Sequence, residues 1–157
     1  MLFRNTVFIL FFFLMGFSCL TAQQVIDSQR ANELGLGMEI LDTKYKSALH
    51  EKPEKAVFKT EEEQQKLTKA YTDFLQQIGA FLSSHQFHWD TQVRGFNRIY
   101  IKPDGSVDYF IYRLPDDLPV QKKLEFEKLL SQFLTDHKFP VSSPVPFAQC
   151  SSTVWSN

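Results

Sequence analysis

The chain has 157 residues, and its 17 Lys and Arg side chains nearly balance its 18 Asp and Glu side chains. A net charge of −1 argues against the strongly basic surface that nucleic acids or anionic membranes attract, so neither is predicted as a partner. The length suits a single domain with one hydrophobic core.

Residues 1–22 have the composition of a secretory signal peptide. Arg4 is their one charged residue, an apolar run extends from Val7 to Phe17, and small or polar residues lead to Ala22. This run is about half as long as the roughly 20 residues that a membrane span needs. We therefore predict cleavage after Ala22, a mature chain without a transmembrane span, and a periplasmic or extracellular location.

Cys19 offers a second processing route, in which it becomes the lipidated first residue of an outer-membrane lipoprotein. Such sites favour Leu or a similar residue three positions earlier, where this chain has Gly16. Ordinary cleavage is preferred because the small Ala22 lies where a signal's cleavage site belongs. Cleavage there leaves Cys150 as the remaining cysteine, so no intramolecular disulfide can form and packing must stabilise the fold.

The mature chain, residues 23–157, is predicted to be one α+β domain that begins with a helical part over about residues 28–84. Between Ser28 and His50, apolar residues recur at steps of three or four, which is helical spacing. Gly35 and Gly37 weaken this prediction, since each costs roughly 1 kcal/mol in a helix interior.

A second helix is predicted from its first residues. Thr60 and Glu63 have the spacing of a capping box, in which each side chain bonds the other's backbone N–H. An apolar stripe follows and ends near Ser83 or Ser84. Its members are Leu67, Tyr71, Phe74, Ile78 and either Phe81 or Leu82.

The segment Phe96–Leu114, FNRIYIKPDGSVDYFIYRL, predicts a β-hairpin. Pro103 suits the second position of a type I turn, Asp104 the third, and Gly105 the left-handed conformation that follows. This is the three-residue connection with a bulge at the glycine. Both faces of the second strand carry large apolar or aromatic side chains, so helices should cover one face, and the other is partly covered or used for contact.

A third helix and a last strand are predicted after the hairpin, which completes a hairpin-helix-strand part over about residues 96–155. Pro119 suits the first turn of a helix capped by Asp116 or Asp117. Residues Phe147–Trp155 alternate in the manner of a strand. The predicted fold has N-terminal helices before a strand-strand-helix-strand unit, with a small antiparallel sheet packed on the helices.

No catalytic motif accompanies these elements. Signatures of common hydrolases, phosphate-binding loops and zinc peptidases are missing from the sequence. His85, His88 and Asp90 come nearest to a metal site, but residues three apart in an extended segment point to opposite faces. No metal or other cofactor is therefore predicted.

The order of elements from residue 96 to residue 155 resembles the TonB C-terminal domain. The resemblance rests on the hairpin RIYIKPDGSVDYFIYRL, the following helix, and KFPVSSPVPF before the last strand. It implies a periplasmic sheet packed on helices that binds an extended peptide along a strand edge. TonB-type energy transducers keep a membrane anchor and a proline-rich spacer before this domain, whereas a cleavable signal and two helices are predicted here. Only the fold and the binding mode are expected to carry over.

The leading hypothesis is an exported, non-catalytic binding or structural protein of the cell envelope, whose partner is an envelope protein or an extended peptide. The last strand is its candidate edge, and Thr153→Pro is expected to disturb binding there. Tyr100, Tyr109 and Tyr112 are candidate aromatic contacts. Filling the core explains each of these three tyrosines equally well.

A small secreted enzyme is the alternative. Its site would join polar groups only through folding, for instance His85, His88 or Cys150 with a nearby carboxylate. A free cysteine is more often a small buried hydrophobe than a nucleophile. A thiol-alkylation rate at Cys150 far above that of a free cysteine would favour the enzyme. The sequence predicts neither the ligand nor the oligomeric state.

Overall fold

The computed structural model of the protein describes residues 24–156. Helices and a sheet packed against them confirm the predicted α+β class. None of the helices in that range combines the length and the apolar composition that a membrane span requires. The helices are α1 (Ser28–Glu33), α2 (Met38–Leu41), a 3-10 helix (Pro53–Lys55), α3 (Glu61–Ser84) and α4 (Val120–Asp136). The strands are β1 (Gln24–Asp27), β2 (Lys46–Ser47), β3 (Val93–Ile101), β4 (Val107–Arg113) and β5 (Phe147–Trp155).

The five strands form one mixed sheet in the order β1-β4-β3-β5-β2. Its centre is antiparallel, because β3 pairs antiparallel with both β4 and β5. β1 adds in parallel to β4, and β2 adds in parallel to β5. The expected antiparallel sheet therefore describes the three central strands, and two short parallel strands flank it.

The helix predicted between Ser28 and His50 is wrong beyond Glu33. Gly35 has a φ of +70°, and this left-handed conformation ends α1. α2 contains only four residues, and the chain then becomes extended in β2. The apolar spacing nevertheless has a structural reason, since the Tyr45 ring packs edge-on against Tyr100 at 5.0 Å between centroids.

α3 and the hairpin form as predicted. The Thr60 hydroxyl accepts from the Glu63 N–H, and the Glu63 carboxylate accepts from the Thr60 N–H, which completes the capping box. In the hairpin, Gly105 has a φ of +83° and donates its N–H to the Lys102 carbonyl. Lys102 in turn donates to Ser106, the pattern of a turn with a bulge at the glycine.

The predicted cap of α4 is wrong. Pro119 is itself the N-cap residue, and α4 has no side-chain capping hydrogen bond from the described residues. Asp116 and Asp117 lie in a preceding turn, where the Leu118 N–H donates to the Pro115 carbonyl at 3.3 Å. That turn separates the two carboxylates from the helix they were expected to cap.

The two faces of the sheet have different covers. α3 and α4 pack on the face that carries the odd-numbered residues of β3 and β5, which we call the helical face. On the second face, α1, α2 and Tyr45 cover one end around Tyr100 and Ile111. The other end of the second face stays open, and Val154 there is 56% exposed.

Candidate functional site

β5 has an open outer edge along most of its length. On that side β2 pairs only with Phe147 and Ala148, and β3 occupies the other side. From Gln149 to Trp155 no strand of the described range pairs with the outer side. The candidate edge predicted from the sequence is therefore shorter than the strand, and we call residues 149–155 the open edge.

Two hydrogen bonds define which backbone groups face outward. The Lys46 N–H donates to the Pro146 carbonyl at 3.1 Å, and the Ala48 N–H donates to the Ala148 carbonyl at 2.8 Å. Even-numbered residues thus point their N–H and C=O groups away from β3, and the register with β3 continues without a shift along the strand. On the open edge these outward groups belong to Cys150, Ser152 and Val154.

Most of the outward groups have no partner between residues 24 and 156. The exception is the Cys150 carbonyl, which accepts from the Gln149 side-chain amide at 3.2 Å. Thr153 belongs to the odd-numbered set, and its N–H faces β3 opposite Gly95. Thr153→Pro as a test of the edge is therefore misplaced, and Ser152 is the position whose N–H points outward.

A groove of about 570 Å³ runs between the open edge and α3. None of the side chains that line it carries a charge. Its helical wall consists of Thr68, Tyr71, Thr72, Leu75, Gln76 and Gly79. The remaining lining residues are Leu49, Gln149, Ser151, Ser152, Thr153, Val154, Trp155 and Ser156.

The helical wall follows the open edge in the same direction. The Tyr71 hydroxyl lies 3.0 Å from Ser151 Oγ, and farther along both elements Gly79 and Trp155 line one smaller cavity of about 170 Å³. Eight helical residues advance about 12 Å, and four strand residues advance about 13 Å. An extended chain beside β5 would therefore remain next to α3 over this length.

Gly79 widens the groove. A glycine inside a helix costs about 1 kcal/mol relative to Ala. A Cβ at this position would meet no atom within 4 Å, so packing within the protein does not require the glycine. The missing side chain instead leaves space in the groove wall.

Beneath the groove lies a short row of polar contacts. Asn97 is fully buried, and its Nδ2 donates to Thr153 Oγ1 at 2.9 Å. Its Oδ1 has no hydrogen-bond partner among the described residues. Together with the Tyr71–Ser151 pair, this contact gives the uncharged groove a polar floor.

The three tyrosines expected as contacts do not line the groove. Tyr100 and Tyr112 are buried, and their hydroxyls donate to Asp42 at 3.0 Å and Glu127 at 2.9 Å. Burial raises the pKa of both phenols well above its ordinary value. Tyr109 is half-buried and packs edge-on against Tyr100. The Tyr100 and Tyr112 rings fill the core, as the alternative interpretation held, and Tyr109 packs against the same core from a half-buried position.

The structure does not bring together the polar residues considered for an enzyme. His85 ends α3, where its Nδ1 lies 2.9 Å from the Phe81 carbonyl oxygen, and His88 is exposed. Cys150 is an even-numbered residue of β5, so its side chain lies on the second face, across the sheet from α3. In residues 24–156, no three His, Cys, Asp or Glu side chains are grouped to hold a metal ion.

Comparison of the chain with protein-family models, curated proteins and solved structures finds no match. The predicted signal peptide, residues 1–22, and the lipidation candidate Cys19 lie outside the described residues. The candidate site therefore rests on the geometry of β5 and α3.

Tyr71→Phe is expected to make the protein less sensitive to alkaline pH. Burial raises the pKa of the Tyr71 phenol to about 12, although its bond to Ser151 lowers it. An unfolded tyrosine ionises near pH 10, so the stability contributed by this proton is present below pH 10 and lost as the pH rises to about 12. Between those values the wild type should lose about 2 kcal/mol more than Tyr71→Phe. Urea denaturation of both proteins measures this, and parallel pH profiles would contradict it.

Proposed function

We propose that the protein is a non-catalytic binding module that accepts an extended segment of a partner protein as an additional strand on the open edge. The row of outward backbone groups at Cys150, Ser152 and Val154 carries this proposal, because all but the Cys150 carbonyl lack a partner among the described residues and the row borders the groove of about 570 Å³. In strand addition, main-chain hydrogen bonds supply affinity, and pockets for alternate side chains supply selectivity. The open edge offers the main-chain hydrogen bonds, and the groove offers the pocket for side chains.

The open edge lacks the features that normally prevent strand pairing. Soluble proteins protect exposed edges with charged residues, prolines or very short strands. The open edge has the sequence QCSSTVW, without a charge or a proline. By contrast, β1 at the opposite side of the sheet has four residues and ends in Asp27. An unprotected edge on β5 alone favours pairing as its function.

The predicted export supports a location for this binding. We propose that it takes place in the periplasm or outside the cell, with an envelope protein as the partner. The resemblance of residues 96–155 to the TonB C-terminal domain implies the same use of a strand edge. Both statements rest on the sequence and stay predictions.

Ser152→Pro is expected to lower the affinity for extended peptides at least about tenfold. Proline removes the outward N–H and places its ring where the added strand would pair. The lost hydrogen bond and the steric clash together cost more than the roughly 1.4 kcal/mol of binding free energy that a tenfold change in affinity requires. The probe is a displayed library of random peptides long enough to span the open edge, selected on residues 23–157. Affinities of the selected peptides are then measured for the wild type and the variant.

Two further variants make this test specific. Ser152→Ala removes the hydroxyl but keeps the backbone N–H, so it should bind as the wild type does. Gly79→Leu leaves the edge intact and fills the groove wall, so it should weaken the same peptides. Peptides that bind Ser152→Pro and Gly79→Leu as well as the wild type would overturn the proposal.

A further inference from the structure

A shallow hollow of about 430 Å³ lies on the second face of the sheet beside the open edge. Arg94 and Arg113 line it together with Ser152 and Val154. Both arginines are exposed, and neither forms an ion pair or a hydrogen bond with another side chain in the described part of the chain. Their positive charge is therefore available to a ligand.

Neighbouring side chains leave most of this charge unbalanced. Arg98 lies on the same face of β3 as Arg94, but it already forms an ion pair with Asp42 at 2.7 Å. Asp116 lines the hollow but forms no ion pair with Arg94 or Arg113. Two guanidinium groups thus share one nearby carboxylate, and another acidic group would balance them.

A strand added to the open edge would present its side chains alternately to the groove and to the hollow, because successive side chains of a strand point to opposite faces. On the groove side they would meet uncharged lining residues. On the hollow side they would lie beside Ser152 and Val154. Arg94 pairs with Val154 one strand further in, about 10 Å from the added strand, within reach of two long side chains.

We infer that the partner segment alternates uncharged side chains, which enter the groove, with acidic side chains, which face Arg94 on the hollow side. The inference rests on the proposed function and adds the chemistry of the partner to it. Charge complementarity to the arginines predicts acidic residues at the positions of the partner segment that face the hollow. The uncharged lining of the groove predicts uncharged residues at the positions that face the groove. Arg94 is thereby the residue that selects among extended peptides.

Two segments of the same protein fit this surface less well. The open edge of a second copy carries no acidic residue, so pairing two copies would leave Arg94 and Arg113 of both copies unbalanced. Residues 1–22 also contain no Asp or Glu. A separate protein with an acidic, alternating segment is therefore the occupant that the surface fits.

The test repeats the peptide selection on wild type, Arg94→Glu and Lys66→Glu. Lys66 is exposed on α3 and does not line the groove, so its replacement changes the net charge equally and serves as the control. Peptides selected on the wild type should be enriched about fivefold in Asp and Glu at every second position, the most that one exposed ion pair supplies. Arg94→Glu should abolish this pattern and favour Lys and Arg there, whereas Lys66→Glu should retain it.

The other outcomes separate this inference from the proposed function. Peptides that need the Ser152 N–H but show no acidic alternation would overturn the inference and leave the proposed function standing. Acidic peptides that bind Ser152→Pro equally well would also overturn it, because simple charge attraction would explain them. If selection on the wild type yields no binding peptide at all, or if light scattering shows a dimer that excludes every peptide, both the inference and the proposed function are overturned.

Discussion

Phe126→Ala is expected to lower the free energy of unfolding by about 3–5 kcal/mol. Phe126 is fully buried on α4, and its ring centroid lies 5.3 Å from Trp89, 5.4 Å from Tyr112 and 5.5 Å from Trp155. Truncation removes a ring from the centre of this cluster and leaves a cavity among rings that cannot close it. Urea denaturation followed by tryptophan fluorescence measures the loss.

Leu124→Ala on the same helix is the matched control. Leu124 is 51% exposed, so its truncation should change the free energy of unfolding by less than about 0.5 kcal/mol. Equal effects of the two substitutions would contradict the packing of α4 on the helical face. The comparison also concerns the candidate site, because Phe126 supports Trp155 at the end of the groove.

Local chemistry accounts for the elements that the sequence predicts well. The capping box of Thr60 and Glu63 lies within one turn of the helix it starts, and Gly105 lies within the turn it permits. β1 and β2 have no comparable local determinant, since they form only by pairing with β4 and β5 far along the chain. The spacing of residue types therefore could not predict these two short parallel strands.

The candidate site could be predicted only in part. Alternation along residues 147–155 indicates a strand, but the outward direction of the Ser152 N–H follows from where β2 bonds to it. Alternation along the hairpin strands likewise assigns Tyr100 and Tyr109 to one face of the sheet. It does not show which face the helices cover. Both answers depend on register and packing, which are properties of the whole fold.

One sequence feature did indicate the groove and could have been used. Thr68, Thr72, Gln76 and Gly79 follow helical spacing beside the apolar stripe of α3. A glycine in the middle of a long helix costs stability, and here packing within the protein does not require it. Such a residue next to a polar stripe is a reason to expect that something packs there from outside.

Thr153→Pro and Ser152→Pro are expected to have opposite consequences, although the two residues are neighbours. Thr153→Pro should lower the free energy of unfolding by about 2–4 kcal/mol, because Gly95 loses the donor of its ladder bond and the ring intrudes between β5 and β3. Ser152→Pro should cost less than about 1 kcal/mol, because its N–H faces outward and bonds no group among residues 24–156. Urea denaturation of both variants measures the difference.

The pair also separates folding from binding. Ser152→Pro should retain stability and lose the selected peptides, whereas Thr153→Pro should lose stability first and bind only in proportion to its folded fraction. A reversed order of stabilities would mean that odd-numbered residues of β5 face outward, and the partner strand would then have to pair elsewhere. Equal stabilities would mean that β5 is not held by a continuous ladder with β3, which would remove the rigid edge that strand addition requires.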